Sequence, residues 1–441
     1  MKKRIRVFLL TIMTAALLGG CGMRTVDQMY QVPRRSDAYN HVQSAMDMAL
    51  AGLEFAAPTS GENQQTIQQA DLTGDGVDEY ILYARGNGEK PLNILIFTLD
   101  EDGTCYLMEV IELNGSTFER VEYVDIDGLP GKELVVGRQV SNQIMGTVCV
   151  YSFGTGQAER LMNTYYTTFL TCDLDGDNSS EVVLIQPGEA ATARAIAIRY
   201  EYVDGAMERS VEVEASAPAE GIKRIVVGKL QDGSPAVYLS TAVGENTIVT
   251  DIFALRQDRL VNISAVRSAG TAVSTLRNYY IYAGDIDQDG VMELPSLITM
   301  KSVTARVSGD RQYLIRWYAM DLQGREWDKL YTFHDYAGGW YIQLDSAWAN
   351  RISVEQEGNT YTFYLWNEDE RDAEQLFVLY ALTGTDRDDK AVQDGRFLLR
   401  SKEGTAYAAK LAPAAMEYGL TQEYLINSFR LIYQDWNTGE T

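Results

Sequence analysis

Asp71-Leu-Thr-Gly-Asp75-Gly-Val-Asp-Glu79, Asp125-Ile-Asp127-Gly-Leu-Pro-Gly-Lys-Glu133, Asp173-Leu-Asp175-Gly-Asp177-Asn-Ser-Ser-Glu181, Lys229-Leu-Gln-Asp232-Gly233 and Asp285-Ile-Asp287-Gln-Asp289-Gly290-Val-Met-Glu293 are five versions of one acidic turn. Each stands between two apolar runs, and their starts lie about 48 to 56 residues apart, a period of propellers and other repeat arrays. In the second unit the β-rich runs are 121–126, 134–140, 147–153 and 159–162, so four strands and one turn make a unit. The third, fourth and fifth units repeat this, from 166 to 213, 222 to 266 and 279 to 333. A unit of this size cannot bury both sheet faces alone, so neighbours must stack as blades do. The expected fold is mainly β: a propeller of about five four-stranded blades, possibly more, over residues 66–334.

The flanks read differently. Residues 37–65 give a helix to about Leu53, with Val42, Met46, Ala49 and Leu53 on one face, and then a loop. Beyond His334 the repeat stops. Gly338-Gly339, the run 340–344, Trp348, strand-like 361–366 and 376–382, and a terminal helix from about Thr421 with Leu425, Phe429, Ile432 and Trp436 along one side imply a separate α+β domain, 335–441. The alternative is that 339–366 supply a sixth blade or close the ring. The pattern Trp340-Tyr-Ile-x-Leu-x-x-x-Trp348 is similar to the start of PsbP-like sandwich domains, and no site is carried over from it.

Residues 1–20 have the order of a targeting segment, with Lys2, Lys3, Arg4 and Arg6 ahead of the apolar run 7–18. That run is too short to span a bilayer as a helix. Leu18-Gly19-Gly20-Cys21 resembles the lipobox of bacterial lipoproteins, which implies cleavage before Cys21 and its lipidation. Acyl chains anchor by burying methylenes. Residues 21–36 would then be a tether, and the protein would sit on the outer, extracytoplasmic face of the cell membrane. Removal of 1–20 takes the net charge from −24 to about −28, a surface that repels nucleic acid and anionic headgroups. Cys105, Cys149 and Cys172 are then an odd set in apolar strands, which reads as buried free thiols.

Calcium takes six to eight oxygen ligands, and aspartates at positions 1, 3 and 5 of a tight loop aim three carboxylates at one point. Two copies keep that set with an acid at position 9: Asp173, Asp175, Asp177 and Glu181, and Asp285, Asp287, Asp289 and Glu293. The first copy keeps Asp71, Asp75 and Glu79 but has Thr73 at position 3. Leu129 in the second copy, and Lys229 in the fourth, whose ammonium could replace the ion, predict empty loops. An EF-hand needs a glutamate at position 12, where Leu184 and Ser296 stand, with a helix to follow. The form Asp-x-Asp-x-Asp-Gly-x-x-Glu between strands resembles the FG-GAP or VCBS-type repeats of integrin-like β-propellers, over roughly 66–334. That resemblance implies calcium in the loops, bracing single blades.

The catalytic inventory is thin. His41 and His334 are the only histidines, no Gly-x-Ser-x-Gly is near either, and no His/Cys cluster or phosphate loop occurs. His334 with Asp335 reads as a surface pair. The expected function is a lipid-anchored binding or scaffolding protein for an envelope protein or glycan, with no nucleic acid partner. The alternative is an envelope enzyme that cleaves glycans through two carboxylates about 5–10 Å apart.

Overall fold

The acidic turns join the first strand of a sheet to the second, and the sheets follow one another along the chain. The structure is a computed structural model, and it describes residues 37–432 apart from 101, 141–144, 191–192, 267–269, 280, 304–311 and 369–370. The targeting segment, Cys21, the tether and Trp436 lie outside the described residues.

Among the described residues there are six antiparallel sheets. The first comprises Ile67–Ala70, Glu79–Arg85, Leu92–Leu99 and Cys105–Leu113, with the short Glu54–Phe55 beside the second of these strands. The second is Thr117–Val124, Glu133–Gln139, Gly146–Ser152 and Glu159–Tyr166. The third holds Thr168–Cys172, Glu181–Gln186, Ile196–Val203 and Ala206–Arg209, with Val213–Glu214 added. The fourth is Ile222–Lys229, Pro235–Ala242, Ile248–Arg256 and Arg259–Asn262.

Middle strands of these sheets are buried along nearly their whole length because both faces are covered. Leu92–Leu99 is buried except at its last residue, and Gly146–Ser152 throughout. A strand covered on both faces loses the usual in–out alternation. Separate apolar cores fill the gaps between the first and second sheets, the second and third, the third and fourth, and the fourth and fifth. Stacking of this kind, sheet face on sheet face in chain order, is propeller-like.

The fifth sheet departs from the expected blade. Its innermost strand is reduced to a single bridge, Gly284 with Glu293, before Leu294–Thr299, Tyr313–Met320 and Glu326–Asp335. Trp340–Leu344 then pairs with Glu326–Asp335, so the expected division at 334/335 falls inside a hairpin of this sheet. Phe429–Leu431 adds a further strand beside Trp340–Leu344. The expected terminal helix is only Gln422–Ser428, and Phe429, predicted on its apolar face, lies in the strand instead.

Residues 352–411 form the sixth sheet, from Ile352–Glu357, Thr360–Trp366, Ala373–Thr383, Phe397–Lys402 and Thr405–Leu411. It shares one core with the fifth, around Phe333, Trp340, Phe363, Phe377 and Phe429. Trp340 is fully buried, 4.9 Å from Tyr361 and 5.4 Å from Phe429 between ring centroids.

At the other end of the stack, helix Asp37–Ala49 puts Val42 and Met46 against Leu82, Ala84, Leu95 and Phe97 of the first sheet. The helix stops short of Leu53, and His41 is on its exposed side. Cys105, Cys149 and Cys172 are buried free thiols. Among the described residues, no helix is long and apolar enough to cross a membrane.

Candidate metal centres in the acidic loops

The turns fold by a common set of hydrogen bonds from backbone N–H groups to their own carboxylates. The aspartate at position 1 accepts from the N–H of position 4 in the first three copies: Gly74 at 2.7 Å, Gly128 at 2.9 Å and Gly176 at 2.6 Å. Its second oxygen accepts from position 6 in three copies: Gly76, Asn178 and Gly290. Short acidic side chains that bond their own backbone in this way are what make aspartate a turn former. The bend requires a left-handed residue at position 4, and Gly74, Gly128, Gly176 and Gln288 have φ of 76°, 70°, 85° and 64°.

Glutamate at position 9 has a role that its place in the sequence does not show. In every copy that has it, one carboxylate oxygen accepts the N–H of position 2: Leu72 from Glu79, Ile126 from Glu133, Leu174 from Glu181, and Ile286 from Glu293, at 2.7–3.0 Å. The glutamate thus closes the loop base. All four are buried, and desolvation raises their pKa, with the backbone N–H bonds opposing. Glu181 is pushed up to about 7 and Glu293 to about 8.

What meets the other oxygen differs. Glu79 takes Thr98 Oγ1 at 3.3 Å, and Glu181 takes Arg199 Nη1 at 3.2 Å. In the fifth copy Leu294 pairs with Tyr318, the next residue on is Ala319, and Glu293 Oε1 is buried with no hydrogen-bond partner.

Successive loops are also tied together. The N–H of position 8 donates to the carbonyl of position 1 in the preceding turn: Lys132 to Asp71 at 2.9 Å, Ser180 to Asp125 at 2.6 Å, and Met292 to Lys229 at 2.9 Å. The loops therefore line one edge of the stack.

Three sets of carboxylates bring one oxygen each to within 4.8 Å of one another: Asp173, Asp175 and Asp177; Asp285, Asp287 and Asp289; and Asp125, Asp127 and Glu133. The first two are the complete copies, although Glu181 and Glu293 are outside the triads. The third is the loop expected to be empty, where Glu133 turns in beside Asp127 and makes up for Leu129. Asp71, Asp75 and Glu79 do not form such a set among the described residues. In the fourth copy the turn is short, and Asp232 instead accepts the N–H of Leu322 from the fifth sheet at 3.0 Å. Lys229, expected to stand in for an ion, makes no ion pair among the described residues.

Two triads have a cation of their own. Lys329 pairs with Asp289, which lowers the pKa of that carboxyl, while burial and Asp289 raise that of Asp287. Arg199 Nη1 is 3.8 Å from Asp175. These cations offset part of the charge that a divalent ion would otherwise neutralise. Nothing of the kind reaches Asp125, Asp127 and Glu133 among the described residues. Oxygen-only donor sets of this size suit hard cations.

His334 and Asp335 are not a surface pair. The ring nitrogens of His334 are closed off from solvent, and its ring stacks on Tyr341 at 5.0 Å. Asp335 accepts from Tyr361 Oη and from the N–H of Gly338.

No protein-family model matches the sequence, and no curated protein matches it. Among solved structures, a rhamnogalacturonan lyase, YesW, is similar over 73% of each chain at 12% identity, with a TM-score of 0.28. A Lactobacillus plantarum protein is similar over 74% of this chain and 94% of its own, at 10% identity and a TM-score of 0.27. Likenesses this distant carry no argument about activity.

Proposed function

We propose that this is a lipid-anchored extracytoplasmic protein of the FG-GAP/VCBS-like kind, whose stacked sheets present a binding or scaffolding surface and are braced by calcium in the acidic loops. The observation that carries the reading is the recurrence of three carboxylate triads, each within 4.8 Å, along one edge of the array. The first five sheets act as the blades, with the helix at 37–49 and the sixth sheet covering the two ends of the row. Calcium occupies the loops at Asp125, Asp173 and Asp285, and the loop at Asp125 holds it best because no cation among the described residues competes there. Cys21 carries the lipid.

The catalytic alternative has less to support it. Of the carboxylates in the cleft between the second, third and fourth sheets, Glu122 is held by Arg120 and Thr171, which leaves it poorly placed for proton transfer.

Chelation is the test of the ion. Binding to the native state alone stabilises it, so EDTA should lower the Tm, by several degrees if calcium is at about 100 times its Kd. Asp127→Ala, Asp175→Ala and Asp287→Ala should each remove part of that response. A Tm indifferent to saturating EDTA retires the calcium. For the anchor, Cys21→Ala should move the protein from the membrane fraction to the soluble one.

A further inference from the structure

The second and fourth copies carry an arginine at the same place in the repeat. Arg120 and Arg224 each stand five residues before the first residue of the turn, Asp125 or Lys229. Each follows a β-bulge in the innermost strand, where register shifts between Phe118 and Arg120 and between Ile222 and Arg224. A bulge sets two successive residues against one on the partner strand, and Lys223 and Arg224 both line a cleft between the second, third and fourth sheets.

The surroundings of the two guanidiniums match as well. Arg120 lies over the Phe169 ring at 5.6 Å and donates to the Phe169 carbonyl at 3.5 Å. Arg224 lies over the Tyr282 ring at 5.8 Å and donates to the Ala283 carbonyl at 3.5 Å.

They part at the counterion. Glu122, two residues on, takes the Nε of Arg120. In the fourth copy that place is Val226. Arg224 Nε is buried with no hydrogen-bond partner, and no carboxylate pairs with this residue among the described ones. Burial without a counterion also lowers its pKa. Arg224 as a whole is half-buried, with a carbonyl and a ring but no anion as partners, and a carboxylate on a guanidinium is the strong, charge-assisted bond.

The cleft has room for such a group. Its volume is about 1130 Å³, and it runs between the inner strands of the second, third and fourth sheets and the loop at 59–64. Arg120, Lys223 and Arg224 face it against Glu62 and Glu122, an excess of positive charge inside a chain of net charge −24. Pockets of this order hold ligands the size of a small oligosaccharide.

We propose that the cleft binds a small polar ligand bearing a carboxylate, which the Arg224 guanidinium receives, with Lys223 beside it. This rests on the reading of the array as a binding protein, but not on calcium.

Calorimetric titration with digalacturonate, N-acetylmuramate and glucuronate tests it, with galactobiose as the uncharged control and inorganic phosphate as the other anion. At least one carboxylate should bind, and galactobiose and phosphate should not. Arg224→Met should abolish the binding, and Lys223→Gln, at an exposed residue, should weaken it. Val226→Glu, which supplies the carboxylate internally, should weaken it on the order of tenfold or more. EDTA should leave it intact, so failure of the calcium reading and failure of this one are separable. No binding by any of the three carboxylates, equal binding of galactobiose or phosphate, or full binding by a folded Arg224→Met protein overturns the proposal.

Discussion

His334 should make the protein lose stability in mild acid, and by an amount that one substitution can isolate. Its ring is packed 5.9 Å from Trp317, 5.2 Å from Tyr336 and 5.0 Å from Tyr341, and both nitrogens are closed off from solvent. Desolvation of the imidazolium lowers the pKa from 6.5 to about 3. Between those two values the folded protein keeps the ring neutral while the unfolded chain protonates it. The unfolded state then binds more protons, so stability falls as pH falls. At pH 4.5, about two units below the unfolded pKa, the loss is about 2.7 kcal/mol at about 1.36 kcal/mol per unit.

His334→Phe keeps the ring stack and removes the titration. Urea unfolding of both proteins at a series of pH values from neutrality to 4.5 isolates the effect, because the many carboxylates titrate alike in the two and cancel in the difference. The stability of the variant relative to the parent should be flat above pH 7 and rise by about 2–3 kcal/mol by pH 4.5. Stability curves that stay parallel across this range would refute the reasoning.

Three further outcomes follow from packing and loop geometry. Gly74→Ala should destabilise well beyond Gly76→Ala, since both residues have positive φ but a Cβ on Gly74 would lie 2.4 Å from the Pro130 carbonyl, while one on Gly76 meets nothing. The Gly76 variant should cost about 1–2 kcal/mol by thermal unfolding, and the Gly74 variant about 1–3 kcal/mol more. Trp340→Ala, in the core shared by the fifth and sixth sheets, should cost about 3–5 kcal/mol, and a single unfolding transition in the parent should broaden or split. Arg199→Met, which strips Glu181, Asp175, Glu201 and Asp258 of one shared cation, should cost about 3–5 kcal/mol in EDTA, and less in calcium if the ion takes over at the Asp173 loop.

The repeat was readable because the turn chemistry is local. Aspartate at position 1 and a residue able to take positive φ at position 4 fold the loop with their own backbone, so Asp71, Asp125, Asp173 and Asp285 mark it in the sequence. Which carboxylates meet was less readable, because that depends on how each side chain turns once the strands pair. Glu181 and Glu293 look like ligands by spacing, yet they hold the N–H of Leu174 and Ile286. Glu133 joins a triad in a loop whose position 5 is Leu129 and not an acid. A signal for this role was present in the acid at position 9 of that copy, which was kept although position 5 was lost.

By itself the sequence determined the β-sheet units, their order and the loops at which they turn, since alternating apolar runs and Asp/Gly turns act over a few residues. Only the tertiary structure decided where the units end: Phe429 leaves the expected helix for a strand because Trp340–Leu344 offers it an open edge and a core shared with Phe333 and Phe363. It also set Arg224 against the Tyr282 ring and the Ala283 carbonyl of the next unit, because such partners are a matter of which groups meet in space. Contacts between residues far apart in the chain depend on the packing of whole sheets, and no local pattern encodes them.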